Sequence, residues 1–192
     1  MDKRDIRRNI KTMSIENKFS KWARTNQRGN ATGNLNSLIL LLPKDINNVL
    51  VLGVGESPTE LDSFEKMKVK AIGIEINQET VLNLKDPRVT EGDMHDLVFE
   101  DNSFDLVWGK DVFEHAVSHI IALDECCRVS KKYVALVIPN EERWGRSKDH
   151  LICPTSFQMR NLGNKVGLGL GDYKQIGNLE YYLFGKGIKS RW

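Results

Sequence analysis

The stretch that decides the fold is VLVLGVG, residues 49–55. Four aliphatic residues in a row, with no polar residue among them, are typical of a strand that is buried on both faces of a parallel sheet. A helix start follows the glycines: Ser57 can cap, Pro58 suits the first helical position, and Glu60 completes a capping box. The segment therefore predicts a strand, a glycine turn and then a helix over 58–67.

The glycine turn has the features of a nucleoside-binding site. Gly53 and Gly55 leave the backbone open to close approach, and the following helix directs its free N–H groups to the same place. Glu75 lies 22 residues after Gly53, about the spacing at which a carboxylate reaches a ribose hydroxyl. A pyrophosphate fits less well, because Pro58 occupies the position of a third glycine and glutamates flank the turn.

Strands and helices alternate along the rest of the chain. This alternation predicts an α/β fold, a doubly wound, mostly parallel seven-stranded sheet with helices on both faces. Such sheets bind ligands beyond the carboxyl ends of their strands, where the strand order reverses. The predicted strands are 49–52, 69–74, 88–90, 104–108, 133–138, 170–176 and 179–184, and the predicted helices are 58–67, 77–84, 117–129 and 154–162.

The composition is that of an ordinary globular domain. Of the 192 residues, 40% are hydrophobic and 28% are charged, which excludes a disordered tail or a collagen-like rod as the main object. The longest aliphatic run, 38–42, is too short to cross a bilayer, and the first residues show no secretory signal. The odd number of cysteines argues against a disulfide framework, so a reducing cytoplasm is the expected location.

Positive charge is concentrated at the start of the sequence. Residues 1–30 hold nine basic and three acidic side chains, a net charge of +6, whereas the remainder holds 19 basic and 23 acidic, a net charge of −4. Such an arm can bind an anionic partner, either nucleic acid or a phosphorylated glycan. We favour a solvated helix, because no aromatic platform or nucleic-acid motif accompanies the charge.

Short runs in the middle of the chain match a known family. The most specific are DNSFD at 101–105 and DVFEH at 111–115, and the order and spacing hold over residues 47–140. On these runs the chain resembles the class I S-adenosylmethionine-dependent methyltransferases, in particular their small type-11 branch. The resemblance implies the Rossmann-like fold of that class, with S-adenosylmethionine as methyl donor and S-adenosylhomocysteine as product. Further matching stretches are 49–55, 73–77, 92–107 and 123–129.

The resemblance also assigns roles to residues that follow the strands. Glu75 would accept hydrogen bonds from the ribose hydroxyls, Asp93 would meet the adenine amino group, and Lys110 would face the methionine end. Two positions depart from the family pattern: Val51 replaces its usual acid and Ser57 its third glycine, both at the amino-group end of the cofactor site. The implied cofactor-binding residues are Gly53, Val54, Gly55, Glu75, Ile76, Asp93, Met94 and Lys110.

His150, His115 and Asp111 are the predicted catalytic residues. By the resemblance, Asp111 would face the methionine end and the acceptor. Histidine titrates near neutral pH, so His115 or His150 could remove a proton from the acceptor; a structural hydrogen-bonding role is the alternative. No metal is expected: His115 and His119 would share a helix face near Asp111 and Glu114, but the resembling family has Glu-His here without metal.

Two units are predicted, and three functions remain open. Residues 1–45 would form a basic helical extension that can act as a lid, and residues 46–192 would form the methyltransferase domain. The leading hypothesis is methyl transfer to an oxygen or nitrogen of a small-molecule or sugar-type acceptor, since the loop 141–148 combines both charge signs with one aromatic residue. The alternatives are a nucleic-acid methyltransferase that uses residues 1–30, and a non-catalytic binding protein that retains the fold. The sequence specifies neither the acceptor nor the oligomeric state.

Overall fold

The computed structural model describes residues 32–140 and 150–190, which form a seven-stranded sheet covered by helices. The strands are β1 (Asn48–Leu52), β2 (Lys70–Glu75), β3 (Val89–Glu91), β4 (Phe104–Lys110), β5 (Ser130–Pro139), β6 (Leu168–Ile176) and β7 (Leu179–Lys186). The helices are α1 (Thr32–Ile39), α2 (Thr59–Lys66), α3 (Gln78–Leu84), α4 (His119–Val129) and α5 (Ser156–Lys165), with a 3₁₀ turn at Phe113–His115.

The strand order is β3-β2-β1-β4-β5-β7-β6. Within the described residues β7 alone runs antiparallel to its neighbours, which confirms the predicted doubly wound, mostly parallel sheet. The order reverses between β1 and β4, where Leu52 pairs with Gly109. The carboxyl ends of these two strands therefore form the edge at which such a sheet binds its ligand.

The two faces of the sheet are set by alternation along β1. Val49 and Val51 join Trp108 in the cluster that lies under α1 and α2. Leu50 and Leu52 join the opposite cluster, which packs against α4 and α5. All five side chains are fully buried, and burial of one such side chain stabilises a fold by about 1.5–3 kcal/mol. The aliphatic run therefore fixes β1 at the centre of both cores.

The segment before β1 belongs to the core of the sheet. Leu38 and Ile39 are buried in the cluster of Val49, Val51 and Trp108. The predicted lid lies largely in residues 1–31, outside the described part of the chain, and stays a prediction. Among the residues that the structure describes, no helix has both the length and the apolar character needed to cross a membrane.

The predicted capping box at the start of α2 is wrong. The helix begins at Thr59 after an N-cap residue, Pro58, that makes no side-chain cap bond. The Ser57 hydroxyl instead lies 2.6 Å from the Thr59 hydroxyl. Glu60 cannot complete the box because its carboxylate accepts a hydrogen bond from Trp108 Nε1, at 2.8 Å. A distant partner on β4 has therefore taken the side chain that the local pattern assigned to a cap.

Candidate functional site

The glycine turn after β1 is held tightly to β2. Gly53 and Gly55 have φ angles of +65° and +66°, in the left-handed region that favours glycine. The Gly53 and Val54 N–H groups both donate to the Ile74 carbonyl, at 2.9 and 3.1 Å. A Cβ atom on Gly53 would lie 2.5 Å from Val112 Cγ2. The turn is therefore fixed by backbone bonds, and the loop that follows β4 packs directly against it.

Glu75 closes this turn from the end of β2. Its side chain is only 5% exposed. Gly55 N donates to Oε2 and Asn77 N donates to Oε1, each at 2.9 Å. A carboxylate offers about four lone-pair positions, so two remain for the hydroxyls of a ligand. The predicted ribose contact stays a prediction, but the carboxylate has the position and the accepting capacity that a sugar diol requires.

Val54 and Ile76 flank the same turn with different exposure. The Val54 side chain points into the core, where a Cβ atom on Gly73 would lie 2.3 Å from Val54 Cγ2. Only the backbone of Val54 can therefore contribute to a cofactor site. Ile76 follows Glu75 directly and is 37% exposed, so its side chain is available to a ligand.

Asp93 and Met94 follow β3 on the side predicted to bind adenine. Asp93 Oδ1 accepts from His95 N at 2.9 Å and pairs with His95 Nδ1 at 2.6 Å. The Ser118 N–H donates to His95 Nε2 at 3.2 Å, so the imidazole links this loop to the residue before α4. Met94 is partly buried against the core of that face. His95 thus positions Asp93, a role that the sequence did not indicate.

A buried ion pair on α4 holds the next part of the loop. Glu125 is fully buried and accepts from Leu97 N at 2.9 Å. Arg128 pairs with Glu125 at 2.9 Å and donates to the Leu97 carbonyl at 2.7 Å. Charge-assisted bonds of this kind are about twice as strong as neutral ones, so the Asp93 loop is well supported from below.

Lys110 and Asp111 end β4 at the switch point. Their side chains form an ion pair, with the Lys110 amine buried and the Asp111 side chain 40% exposed. Asp111 has a φ angle of +51°, an uncommon conformation for a residue other than glycine. Its N–H donates to the Val137 carbonyl at 2.9 Å, so β5 holds the strained backbone in place. Backbone strain of this kind is concentrated at functional sites, which supports the prediction for Asp111.

Glu60 brings a carboxylate to this end that sequence reasoning missed. It is half-buried, and burial raises its pKa from 4.5 to about 7, although Lys110 and the Trp108 hydrogen bond act in the opposite direction. Trp108 pairs in register with Val51, the position that lacks the usual acid. Glu60 therefore supplies an acid above the strand pair where the sequence showed one missing, and that gap was the available signal.

Glu114, His115 and His150 come together beyond the end of β4. One ligand atom from each lies within 4.8 Å of the others. The two imidazole rings meet edge to face, with centroids 5.2 Å apart. Leu151 N donates to the Glu114 carbonyl at 3.1 Å, which ties the segment before α5 to the 3₁₀ turn. The structure thus joins the two predicted catalytic histidines, which lie 35 residues apart in sequence.

The expectation that His115 and His119 share a helix face is wrong. His115 ends the 3₁₀ turn, and α4 begins only at His119, after extended backbone at Ala116 and Ser118. The His119 ring packs on Phe113, and its Nε2 lies 3.2 Å from the Ile152 carbonyl. Burial lowers the pKa of His119, as expected for a neutral structural imidazole. His119 therefore positions the segment that carries His150.

A polar cluster at the start of β7 was also missed. Glu180 is buried and accepts from Asn140 Nδ2 at 2.7 Å and from the Tyr173 hydroxyl at 3.2 Å. The Tyr182 hydroxyl donates to its second oxygen. Burial first, and then Glu180, raises the pKa of Tyr182. An acid inside the otherwise apolar strand 179–184 was the only sequence signal for this cluster.

The strand order and the crevice together define a class of proteins. A sheet of this order with a glycine turn at the switch point and an acid after the second strand is the class I methyltransferase fold. Residues 50–138 match the family model described as a methyltransferase domain. The chain therefore carries a class I methyltransferase domain of the type-11 branch, it is an S-adenosylmethionine-dependent enzyme, and S-adenosylmethionine is its cofactor. No curated protein matches the sequence.

Solved structures with low sequence identity share this fold. A chain in the complex between the Haloferax volcanii Trm112 methyltransferase activator and its methyltransferase is 17% identical, with a TM-score of 0.69 over 87% of this chain and 96% of that one. An S-adenosylmethionine-dependent methyltransferase from Aquifex aeolicus is 16% identical, with a TM-score of 0.68 over 88% and 97%. A Thermotoga maritima methyltransferase, described as a possible histamine N-methyltransferase, is 20% identical, with a TM-score of 0.65 over 81% and 88%.

The described residues fit this cofactor. The glycine turn presents bare backbone, and the Glu75 carboxylate beside Gly55 has accepting capacity for the ribose hydroxyls. When bound, the cofactor supplies a methyl group that its sulfonium charge has already activated. The chain's own residues then have to hold the nucleoside, exclude water and place the acceptor.

Proposed function

We propose that this methyltransferase acts on an oxygen or nitrogen of a small polar or sugar-type acceptor. The observation that carries the proposal is the cluster of Glu114, His115 and His150 next to the glycine turn. Val112 joins the two places, because its side chain packs on Gly53 while its neighbours lead into the 3₁₀ turn. The acceptor would therefore bind between the turn and the two imidazoles.

The proposed roles follow from position along the crevice. Glu75 and the glycine backbone hold the nucleoside, and Asp111 with Lys110 borders the reacting end. Orientation of the acceptor in line with the methyl group can lower the barrier by about 7–11 kcal/mol. His115 and His150 provide the imidazole chemistry that helps an acceptor lose its proton, a contribution worth about 10²–10⁴-fold in rate.

The polar cluster at the start of β7 supports a polar acceptor. Glu180 lies at the same edge of the sheet as His150, because β7 runs antiparallel to β5 and so begins where β5 ends. Cys153 is next to the His150 ring, 3.7 Å from Nδ1, and its charge contributes to the raised pKa of Tyr182. This wall offers hydroxyl and carboxylate groups, which suit a hydroxyl- or amine-bearing molecule better than a lipid.

Nucleic acid is the second candidate acceptor, favoured by the basic residues 1–30 alone. Nine positive side chains in that segment could bind phosphates. Deletion of residues 1–30 would then abolish salt-dependent binding of a random oligonucleotide. Unchanged binding after the deletion would remove this candidate.

The state of the cysteines supports the cytoplasm as the proposed location. Cys126, Cys127 and Cys153 are all free thiols. Cys126 is fully buried, and the Cys127 thiol donates to the Val166 carbonyl at 3.1 Å. Free thiols used as packing groups are usual in a reducing compartment.

The test of the proposed function separates turnover from cofactor binding. Methyl transfer from labelled S-adenosylmethionine to a panel of small hydroxyl, amine and sugar acceptors would identify the acceptor class. The variant His150→Ala should then lower turnover by about 10²-fold or more, while calorimetry shows unchanged cofactor affinity. The exposed Lys165→Ala serves as the control and should match the wild type in both measurements. Unchanged turnover in His150→Ala would remove His150 from the site.

A further inference from the structure

We propose that Glu114, His115 and His150 form a binding site for one divalent transition-metal ion. These three side chains offer one carboxylate oxygen and two imidazole nitrogens, all within 4.8 Å of one another. Atoms bound to one zinc ion, at about 2.0–2.2 Å from it, lie roughly 3–4 Å apart, so a side-chain movement of about 1 Å completes the site.

The donor set selects the kind of metal. Two imidazoles with one carboxylate suit zinc and iron, whereas magnesium and calcium prefer sites made of oxygen atoms. Three protein ligands also leave a coordination position open, which is the arrangement of catalytic rather than structural zinc sites. The site would therefore hold Zn²⁺ or a similar ion and keep a position for a small ligand.

The surrounding structure fixes the ligands before any ion binds. Glu114 is 1% exposed, and a carboxylate at that depth gains most from a neighbouring cation. The backbone bond from Leu151 N to the Glu114 carbonyl joins the two ligand-bearing segments. The His119 ring meets the Ile152 carbonyl from α4 and holds the same segment from the other side. Preorganisation of this kind is what a precise site requires.

Cys153 determines how His150 would bind the ion. Its Sγ atom lies 3.7 Å from His150 Nδ1. A ring nitrogen that is engaged by a neighbour orients the imidazole and leaves the other nitrogen for the metal. His150 would therefore bind through Nε2, with Cys153 as its orienting partner.

A cation at this place deepens the proposed function and rests on it. The site adjoins Val112, which packs on Gly53 of the glycine turn. A divalent cation lowers the pKa of a hydroxyl that it binds, which points to O-methylation of a hydroxyl-bearing acceptor. The hydroxyl proton passes to solvent, the oxygen bonds to the methyl carbon, and the carbon–sulfur bond breaks with its electron pair kept by sulfur. The two histidines then act as metal ligands instead of bases.

Metal titration of the full chain tests the site. Chelator-treated protein is titrated with Zn²⁺ by calorimetry and with Co²⁺ by visible absorption. We expect one ion per chain, with affinity at least ~100-fold weaker in His115→Ala and in His150→Ala. The variant His95→Ala removes a histidine outside the cluster and should bind Zn²⁺ like the wild type. No binding by the wild type, or equal affinity in all three variants, would overturn the proposal.

A second readout guards against misfolding and separates the two proposals. Zn²⁺ should raise the melting temperature of the wild type and of His95→Ala but not of His150→Ala, whose own melting curve shows that it folds. Calorimetry with S-adenosylmethionine in the presence of chelator reports the cofactor site alone. Cofactor binding without Zn²⁺ binding refutes the metal site only, whereas absence of cofactor binding refutes the proposed function as well.

Discussion

The two ends of the crevice are built in different ways. At the cofactor end, backbone groups and one carboxylate meet: Gly53 and Gly55 form the turn, and Glu75 accepts directly from Gly55 N. At the acceptor end, side chains from two distant segments meet, with His115 on the turn after β4 and His150 before α5. The first end depends on main-chain geometry, and the second depends on side-chain identity.

This difference explains which end a family retains and which end varies. Backbone geometry after a buried strand accommodates the same nucleoside whatever the acceptor. Side chains on loops beyond the strands can change without disturbing the sheet, so they set the chemistry of the acceptor. The chain therefore has a general cofactor end and an individual acceptor end.

The largest expected effect is at the cofactor end, in Glu75→Gln. The variant loses the charge that accepts from Gly55 N, from Asn77 N and from the ribose hydroxyls. Hydrogen bonds to a charged group contribute about 1.5–3 kcal/mol each, so affinity for S-adenosylmethionine should fall by about 100-fold or more. Calorimetry measures this.

Its matched control lies on the neighbouring strand. Glu91 pairs with Glu75 in register but is exposed. The variant Glu91→Gln should keep wild-type affinity. Equal losses in both variants would show a general charge effect and contradict the proposed ribose contact.

The next effect tests how rigidly the turn is built. In Gly53→Ala a Cβ atom would lie 2.5 Å from Val112 Cγ2 at a φ angle of +65°, so overpacking and backbone strain add. We expect a loss of about 2–4 kcal/mol in the free energy of unfolding, measured by urea denaturation.

Two variants divide this loss into its parts. Gly167 has a φ angle of +86° with no atom near its Cβ position, so Gly167→Ala should lose only the strain, about 1–2 kcal/mol. The double variant Gly53→Ala with Val112→Ala should relieve the clash. If Gly53→Ala costs no more than Gly167→Ala, the loop after β4 does not pack on the turn as described.

A smaller effect is expected at the acceptor end, in Asp111→Asn. Asparagine tolerates the left-handed backbone at φ +51°, so the fold should be unaffected, while the charge beside Lys110 is lost. We expect turnover to fall by ~10-fold, equivalent to about 1.4 kcal/mol, with cofactor affinity within about twofold of wild type. Steady-state kinetics measure the fall, and a change confined to cofactor affinity would move Asp111 to the other end of the crevice.

The smallest effect concerns Glu60 and depends on pH. Burial raises the pKa of Glu60 from 4.5 to about 7, so the folded state disfavours the charged form. This group therefore lowers the stability of the wild type as pH rises from about 4.5 through about 7.

The variant Glu60→Gln removes this penalty and keeps an acceptor for Trp108 Nε1. It should be more stable than wild type by about 1 kcal/mol at pH 8, after allowance for partial exposure, and equal to it below pH 4.5. Thermal unfolding at both pH values measures the difference. A stabilisation that is the same at both values would show that Glu60 does not titrate as described.

The cofactor end could be predicted from sequence because its signals are local. The aliphatic run, the glycine turn and Glu75 lie within 27 residues, and each follows from strand burial and spacing. The seven strands were found for the same reason, since their hydrophobic patterns need no knowledge of distant partners. Errors of one or two residues arose at element ends, where side chains choose between local and distant bonds.

The acceptor end could be predicted only in part. His115 and His150 were identified as single candidates, but their meeting depends on the bond from Leu151 N to the Glu114 carbonyl, which no local pattern encodes. Glu60 was assigned to a cap because its partner, Trp108, is 48 residues away. Glu180 gathers its partners across three elements in the same way. These contacts arise only once the sheet has formed.

The most direct test of the account is a crystal structure with S-adenosylhomocysteine bound. We expect both ribose hydroxyls within hydrogen-bond distance of the Glu75 carboxylate, which keeps its bond from Gly55 N, and the sulfur atom directed toward Asp111 and His115. A ligand bound away from the glycine turn, or a ribose that Glu75 does not contact, would contradict the account.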